Sequence, residues 1–196
     1  MTTLWKFMYN GLKSKHGEVK WKIGEWQKEE KIEICNSGFH ASVNPAHALK
    51  YVQGDVLSLV EVRGESAVQG DKQCWSEMRI VKAYSWKKED SIAFSIYAAE
   101  KVIGIFEKEY PKDDRPRKAI EAAKEWLKDP SEKNRTKAAD AAHAAAHPAH
   151  PADPAHPAYA ANTAANAANA AKIRGNLWKE LGAWMEKHVK SLEEYK

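Results

Sequence analysis

Around Trp86 the hydrophobic period of this chain changes, and that change limits the folds open to it. Ahead of it, "LWKFMY", "EVKWKIG", "KIEIC", "VLSLVEVRG" and "MRIVKAYSW" are short, rich in β-branched and aromatic residues, and punctuated by Gly, Asn or Asp, as strands are. In "KIEIC" and "LSLVEV" apolar and polar residues alternate, which a sheet with one wetted face requires. Beyond it, Ile92, Ile96, Ala99, Ile103, Phe106 and Tyr110 recur at steps of four and three and fall on one stripe of a helix. The pattern predicts an α+β chain: a mixed β-sheet over residues 1–87, then an Ala-rich helical bundle over 88–196.

Local punctuation refines this outline. Within the sheet half, "NPAHALKYV" predicts a short helix, with Asn44 as its cap and Pro45 at its first position. Asp90 or Ser91 caps the first long helix, and Pro111 ends it. A second opens near Asp114 with Pro116 in its first turn and turns Ile120, Ala123 and Leu127 inward. Asp129, Pro130 and Glu132 give a third, Ala-rich helix a start resembling a capping box. Prolines at 148, 151, 154 and 157 forbid a regular helix, so the Pro-Ala-rich segment 147–158 is expected to be an extended connector. Leu177, Leu181, Trp184, His188 and Leu192 predict a last amphipathic helix.

Composition removes several classes of function. With 43% hydrophobic and 30% charged residues and no long apolar run, neither a disordered chain nor a membrane protein is expected. The first residues lack the apolar core of an export signal, so the expected location is the cytoplasm. The formal charge of +4 is spread over interleaved Lys and Glu, which gives no basic face for nucleic acid. Cys35 and Cys74 are expected to be free thiols, and no CxxC pair suggests a thiolate metal site.

The stretch "CNSGFHASVNPAHALKYVQGDVLSLVEVRGE" resembles the second block of the ADP-ribosyltransferase family, a strand, then a helix ending in Tyr, then a core strand. The resemblance sets His40 at the place of the nicotinamide-stacking tyrosine and Tyr51 at that of the helix tyrosine. It also sets Asn10, in "MYNGL", at the place of a cofactor-binding histidine, and Glu77, in "WSEMRIV", at that of the catalytic glutamate. It implies a sheet of that fold, a ligand site formed by Asn10, His40 and Tyr51, and NAD or another nucleotide as cofactor or ligand. In that chemistry a carboxylate steadies an oxocarbenium-like ribose while an aromatic ring stacks on the leaving nicotinamide.

The second half, "FEKEYPKDDRPRKAIEAAKEWLKDPSEKNRTKAADAAHAAAH", resembles the immunity-protein family of bacterial polymorphic toxin systems, whose marks here are Pro111, Asp113, Arg115, Pro116 and Arg117. The whole chain is also similar to uncharacterised phage and mobile-element proteins. Asp113, Arg115 and Arg117 are expected either to cap and pair at a helix start or to meet a partner. No metal site is expected; His143 and His147, one helical turn apart, with His150 close by, are the nearest approach to one. The expected function is a non-enzymatic binding protein of the immunity or anti-defence type, which neutralises a toxin or sequesters a nucleotide-like signal. The alternative is an NAD-dependent ADP-ribosyltransferase acting through Glu77, and a third reading is a structural phage or mobile-element protein.

Overall fold

A computed structural model describes residues 1–15, 19–146 and 174–195. The chain divides into two compact units, one formed by Met1–Lys87 with Trp178–Lys196, the other by Lys88–Leu177. The first boundary falls where the hydrophobic period changes. The C-terminal stretch, expected to close the helical half, belongs instead to the first unit.

That first unit is built on a sheet of β1 (Thr2–Met8), β2 (Gln27–Lys28), β3 (Phe39–Ala41), β4 (Val56–Gln69) and β5 (Lys72–Ser85), with helix α1 (Pro45–Tyr51) between β3 and β4. The order is β1-β4-β5-β2, and β3 also pairs with β5. Every strand pair is antiparallel. The parallel element of the expected mixed sheet is confined, among the described residues, to an isolated Ile23–Ile80 bridge. The sheet curls until Ser42, just past β3, exchanges two backbone hydrogen bonds with Trp5 of β1, at 2.8 and 2.9 Å. The ring β1-β4-β5-β3 is thereby closed over Val56–Val62 of β4, the part that pairs with β1, and leaves no free edge there.

β4 and β5 form a long hairpin in which Gln69 faces Lys72 across Gly70-Asp71. Gly70 has φ +62°, the left-handed value that the first central residue of a II′ turn needs. Leu4, Met8, Val56, Val60, Met78 and Ile80 are fully buried inside the ring. Phe7, on the other face of β1, meets Trp86 edge to face at 5.3 Å, and Trp86 meets His188 at 5.8 Å. The last helix therefore covers the outer face of β1, which accounts for the apolar run of "LWKFM" on both sides of the strand.

Two expected strands do not form. "EVKWKIG" contributes only isolated bridges, Lys20 to Lys13 and Ile23 to Ile80, and "KIEIC" is a turn closed by a Glu33–Ser37 bridge. Alternation prepares a segment for a sheet, but a strand also needs a free edge. The outer edge of β5 is already taken by β3 at Gln73–Trp75, by β2 at Glu77–Met78, and by the C-terminal segment, where Tyr195 donates to the Ala83 carbonyl and Ser85 to that of Glu193.

Asn44 caps α1 as expected, its Oδ1 accepting from the Ala46 N–H at 2.8 Å. Its Nδ2 donates at 2.6 Å to the Trp178 carbonyl in α5 (Arg174–His188). A Cβ on Gly182 would lie 2.5 Å from Asn44 Oδ1, so the glycine makes room for this double-ended amide. Asn44→Ala removes the cap and the amide's hydrogen bond to the Trp178 carbonyl, with an expected loss of about 1–2 kcal/mol in chemical denaturation. A loss below about 0.5 kcal/mol would show that water replaces both bonds.

The second unit holds α2 (Lys88–Glu109), α3 (Arg115–Lys128) and α4 (Glu132–Ala146). Ile92, Ile96, Ala99 and Ile103 of α2 pack with Ile120, Ala122 and Trp126 of α3 and Ala138 of α4. Two helix starts differ from expectation, those of α2 and α4. α2 begins at Lys88, so Asp90 and Ser91 lie within it and do not cap it. Asp113 does serve the start of α3 as expected, its Oδ1 accepting from the Arg115 N–H at 3.2 Å. At α4 the capping hydroxyl is Ser131, which accepts from the Asn134 N–H at 3.4 Å, while the Asp129 carboxylate binds the Ser131 hydroxyl and the Asn134 amide. The Pro-Ala segment, with His147 and His150, lies outside the described residues. Among the described residues no helix is long and apolar enough to cross a membrane.

Candidate functional site

β3 reaches β5 through Gly38, whose φ of +89° is closed to most side chains and whose Cβ would sit 2.6 Å from Cys74 Sγ. The next pairings set Phe39 opposite Trp75 and His40 opposite Cys74. His40 Nε2 accepts the Cys35 N–H at 3.0 Å, which folds the Glu33–Ser37 turn back onto the strand. An accepting Nε2 means a neutral imidazole with its proton on Nδ1. Burial, with Lys6 and Lys72 nearby, lowers the pKa of His40 in agreement with that state.

Cys35 is exposed and has φ +70°, and its Sγ lies 2.7 Å from Lys72 Nζ. Lys72 follows the II′ turn and extends over the Tyr51 ring, 5.1 Å from its centroid, with Lys50 at 5.2 Å. Tyr51 donates to Asp71 Oδ1, and Lys50 Nζ pairs with Asp71 Oδ2 at 3.0 Å. Burial and the Asp71 hydrogen bond push the Tyr51 hydroxyl up to about 12. Burial alone would raise the Asp71 carboxyl, but hydrogen bonds from Tyr51 and Lys50 outweigh it and hold the group below the usual carboxylate range. The cluster therefore places an exposed thiol, an amine and a neutral imidazole together beside a clamped Tyr-Asp pair.

Lys6 lies at the inner margin of the same region. Half-buried, it shares a face of β1 with Leu4 and Met8 and so points to the ring interior, where Nζ donates to the His40 carbonyl at 3.0 Å and stands 6.0 Å from the Trp21 centroid. Among the described residues no carboxylate pairs with it, and burial brings its pKa from 10.5 down to about 8.

Of the four residues drawn from the ADP-ribosyltransferase resemblance, His40 and Tyr51 share this cluster through Lys72 and Cys35. Glu77 has other neighbours. It lies an odd number of residues along β5 from Cys74, the register partner of His40, and so on the opposite face of the strand. There its Oε2 accepts from Arg63 Nε at 2.7 Å, and the guanidinia of Arg63 and Arg79 lie 4.0 and 5.0 Å from the centroid of Trp26. Asn10 Oδ1 accepts from the Gly11 N–H at 2.9 Å and from the Tyr195 hydroxyl.

In the helical unit, Arg115 grips Asp113 with Nε at 2.8 Å and Nη2 at 2.5 Å and extends Nη1 towards the Ala144 carbonyl at 3.4 Å. Arg117 makes a second bidentate pair with Glu107 of α2, at 2.7 and 2.6 Å. These hydrogen bonds hold both carboxylates below their usual range. The pairs tie the turn between α2 and α3 to its flanking helices. Beside them an open depression of about 590 Å³ is lined by Tyr110, Pro111, Lys112, Asp113, Asp114 and Arg115. Tyr110 is 52% exposed and leans on Phe106 at 5.0 Å. His143 lies on α4, and among the described residues no three His, Cys, Asp or Glu side chains converge as a metal site would require.

Lys6, Cys35 and Lys72 were not singled out as site residues by sequence. A lysine between Leu4 and Met8 is a break in an apolar face and is visible as such, whereas the Cys35–Lys72 contact joins residues whose proximity only the tertiary structure reveals.

Residues 2–91 match the model of a domain of unknown function, DUF7666, and no ADP-ribosyltransferase family matches there. No curated protein and no solved structure matches the chain. Residues 85–178 match the family described as "Imm-5 like putative immunity protein", and the immunity-type likeness expected for the second half thus falls on the stretch that forms the second compact unit, Lys88–Leu177.

Proposed function

We propose that this chain is an immunity-type binding protein that neutralises a bacterial toxin by forming a stoichiometric complex with it, and that the helical unit carries the recognition. The observation that supports this reading is the match of residues 85–178 to the immunity family over the span of one compact unit. The turn between α2 and α3 suits such a role. It offers a half-exposed aromatic beside a depression, on a backbone fixed by two bidentate ion pairs, and rigid aromatic and Arg groups dominate the energetics of protein interfaces. Neutralisation by occlusion needs a stable surface and no catalytic group.

The test is co-production of the full chain with candidate polymorphic-toxin effectors from its source genome. Growth is expected to be restored, and the two proteins are expected to co-elute in size-exclusion chromatography. Tyr110→Ala, with an unchanged circular dichroism spectrum, is expected to weaken the complex by about tenfold or more. Failure to protect together with failure to co-elute would overturn the proposal. Protection without co-elution would redirect it to sequestration of a nucleotide-like signal, and thermal shift with NAD, ADP-ribose and cyclic nucleotides would then identify the ligand.

A further inference from the structure

We infer that Cys35 and Lys72 form an oxidative modification site, at which hydrogen peroxide joins thiol and amine through a single bridging oxygen. The inference rests on how closely and how firmly the two reacting atoms are held. Sγ and Nζ are 2.7 Å apart, closer than an ordinary N–H to sulfur hydrogen bond, and one oxygen atom bonded to both fits between them with little movement of either side chain. Cys35 is exposed, so peroxide reaches it, whereas Cys74 is buried and donates at 3.0 Å to the Ser37 carbonyl.

Both partners are fixed from behind. The Cys35 backbone is pinned by its N–H to His40 Nε2 and by the Glu33–Ser37 bridge. Lys72 is the first residue of β5, and its neighbour Asp71 is tied to Tyr51 and to Lys50. With Asp71 engaged on both oxygens, no carboxylate pairs with Lys72 among the described residues, and the thiol is its hydrogen-bond acceptor. Holding two reactants at contact distance replaces an encounter with an intramolecular step.

The chemistry balances with two peroxides. The Cys35 sulfur attacks one peroxide oxygen, the O–O bond breaks, and sulfenic acid and water result. The unprotonated Lys72 amine takes an oxygen from the second peroxide in the same way, giving a hydroxylamine and water. Condensation of the two hydroxyls expels a third water and leaves S–O–N. Sulfur and nitrogen each lose two electrons, and each peroxide gains two. The link fastens the Glu33–Ser37 turn to the tip of the β4–β5 hairpin, and thiols reduce it.

Intact-mass and peptide-mapping mass spectrometry of the full chain after peroxide treatment tests this. The expected product has gained one oxygen and lost two hydrogens, joins the peptides carrying Cys35 and Lys72, melts higher than the untreated protein, and reverts with dithiothreitol. Lys72→Arg keeps the charge and Cys35→Ser keeps the shape, and neither is expected to yield that product; Lys72→Arg should instead accumulate sulfenic and sulfinic acids at Cys35. Recovery of wild-type Cys35 unmodified, as sulfinic or sulfonic acid with Lys72 intact, or as a disulfide would overturn the inference.

Discussion

Gly54→Ala is expected to destabilise the sheet unit by about 3 kcal/mol or more, the largest single-residue effect anticipated outside the deep core. Gly54 is buried where the chain passes from α1 to β4, and a Cβ built there lies 2.1 Å from the Met8 carbonyl oxygen and 2.6 Å from its carbon. Those are backbone atoms at the end of β1, and Met8 is held opposite Val56 by the β1–β4 register. No rotamer change relieves the overlap. Either β1 frays from β4 at that end or the connection bulges away, and both expose Met8 and Val56, which are fully buried. Urea titration monitored by tryptophan fluorescence measures the loss. A change under about 1 kcal/mol would mean that the backbone gives way far more easily than close packing allows.

Lys6→Met is expected to stabilise the protein, by roughly 2 kcal/mol at pH 7, because it removes a charge from the ring interior for which no carboxylate compensates. The gain is smaller than the pKa shift alone implies, since the His40 carbonyl loses its donor. The pH dependence identifies the cause. A lysine whose folded pKa is lowered from 10.5 to about 8 burdens the native state fully below pH 8. Between those values the unfolded chain binds more protons than the folded one, so wild-type stability rises with pH, and the advantage of Lys6→Met shrinks across the same window. Paired denaturation curves at pH 7 and pH 10 decide the matter. An advantage that does not change with pH would assign the effect to packing and not to charge.

Much of the architecture could be read from local signals. The change of period falls beside the Lys87–Lys88 division between the compact units, and Asn44 caps α1, because both signals depend on residues within one or two turns of each other. The spacing predicts the last helix, but the side chains buried along it are Leu181 and Met185, followed by Val189 just past its end, with Trp184 and His188 only partly covered. The α2 stripe that the spacing predicts is buried from Ile92 to Ile103, yet Tyr110 at its end is exposed, since helix-period spacing cannot say where the neighbouring helix stops. "KIEIC" misled because alternation reports a preference, whereas pairing depends on an edge supplied by residues far along the chain.

The candidate site divides along the same line. His40 and Tyr51 can be recognised from the stretch around them, and they do share a neighbourhood. Their partner Cys35 opens that same stretch, but Lys72 and Lys6 come from two other segments, and the Arg63 that engages Glu77 lies across a hairpin whose exact register depends on an irregularity between Arg63 and Ser66. Charge composition carries no record of which Arg meets which Glu.

The return of Glu193–Tyr195 to the edge of β5 has a temporal consequence. During vectorial synthesis the ribosome emits β1 to β5, then the whole helical segment, and only afterwards the residues that finish the margin at Ala83 and Ser85. A nascent chain therefore displays an incomplete sheet while its helices are already assembling, and the contacts that complete the sheet join residues more than a hundred positions apart.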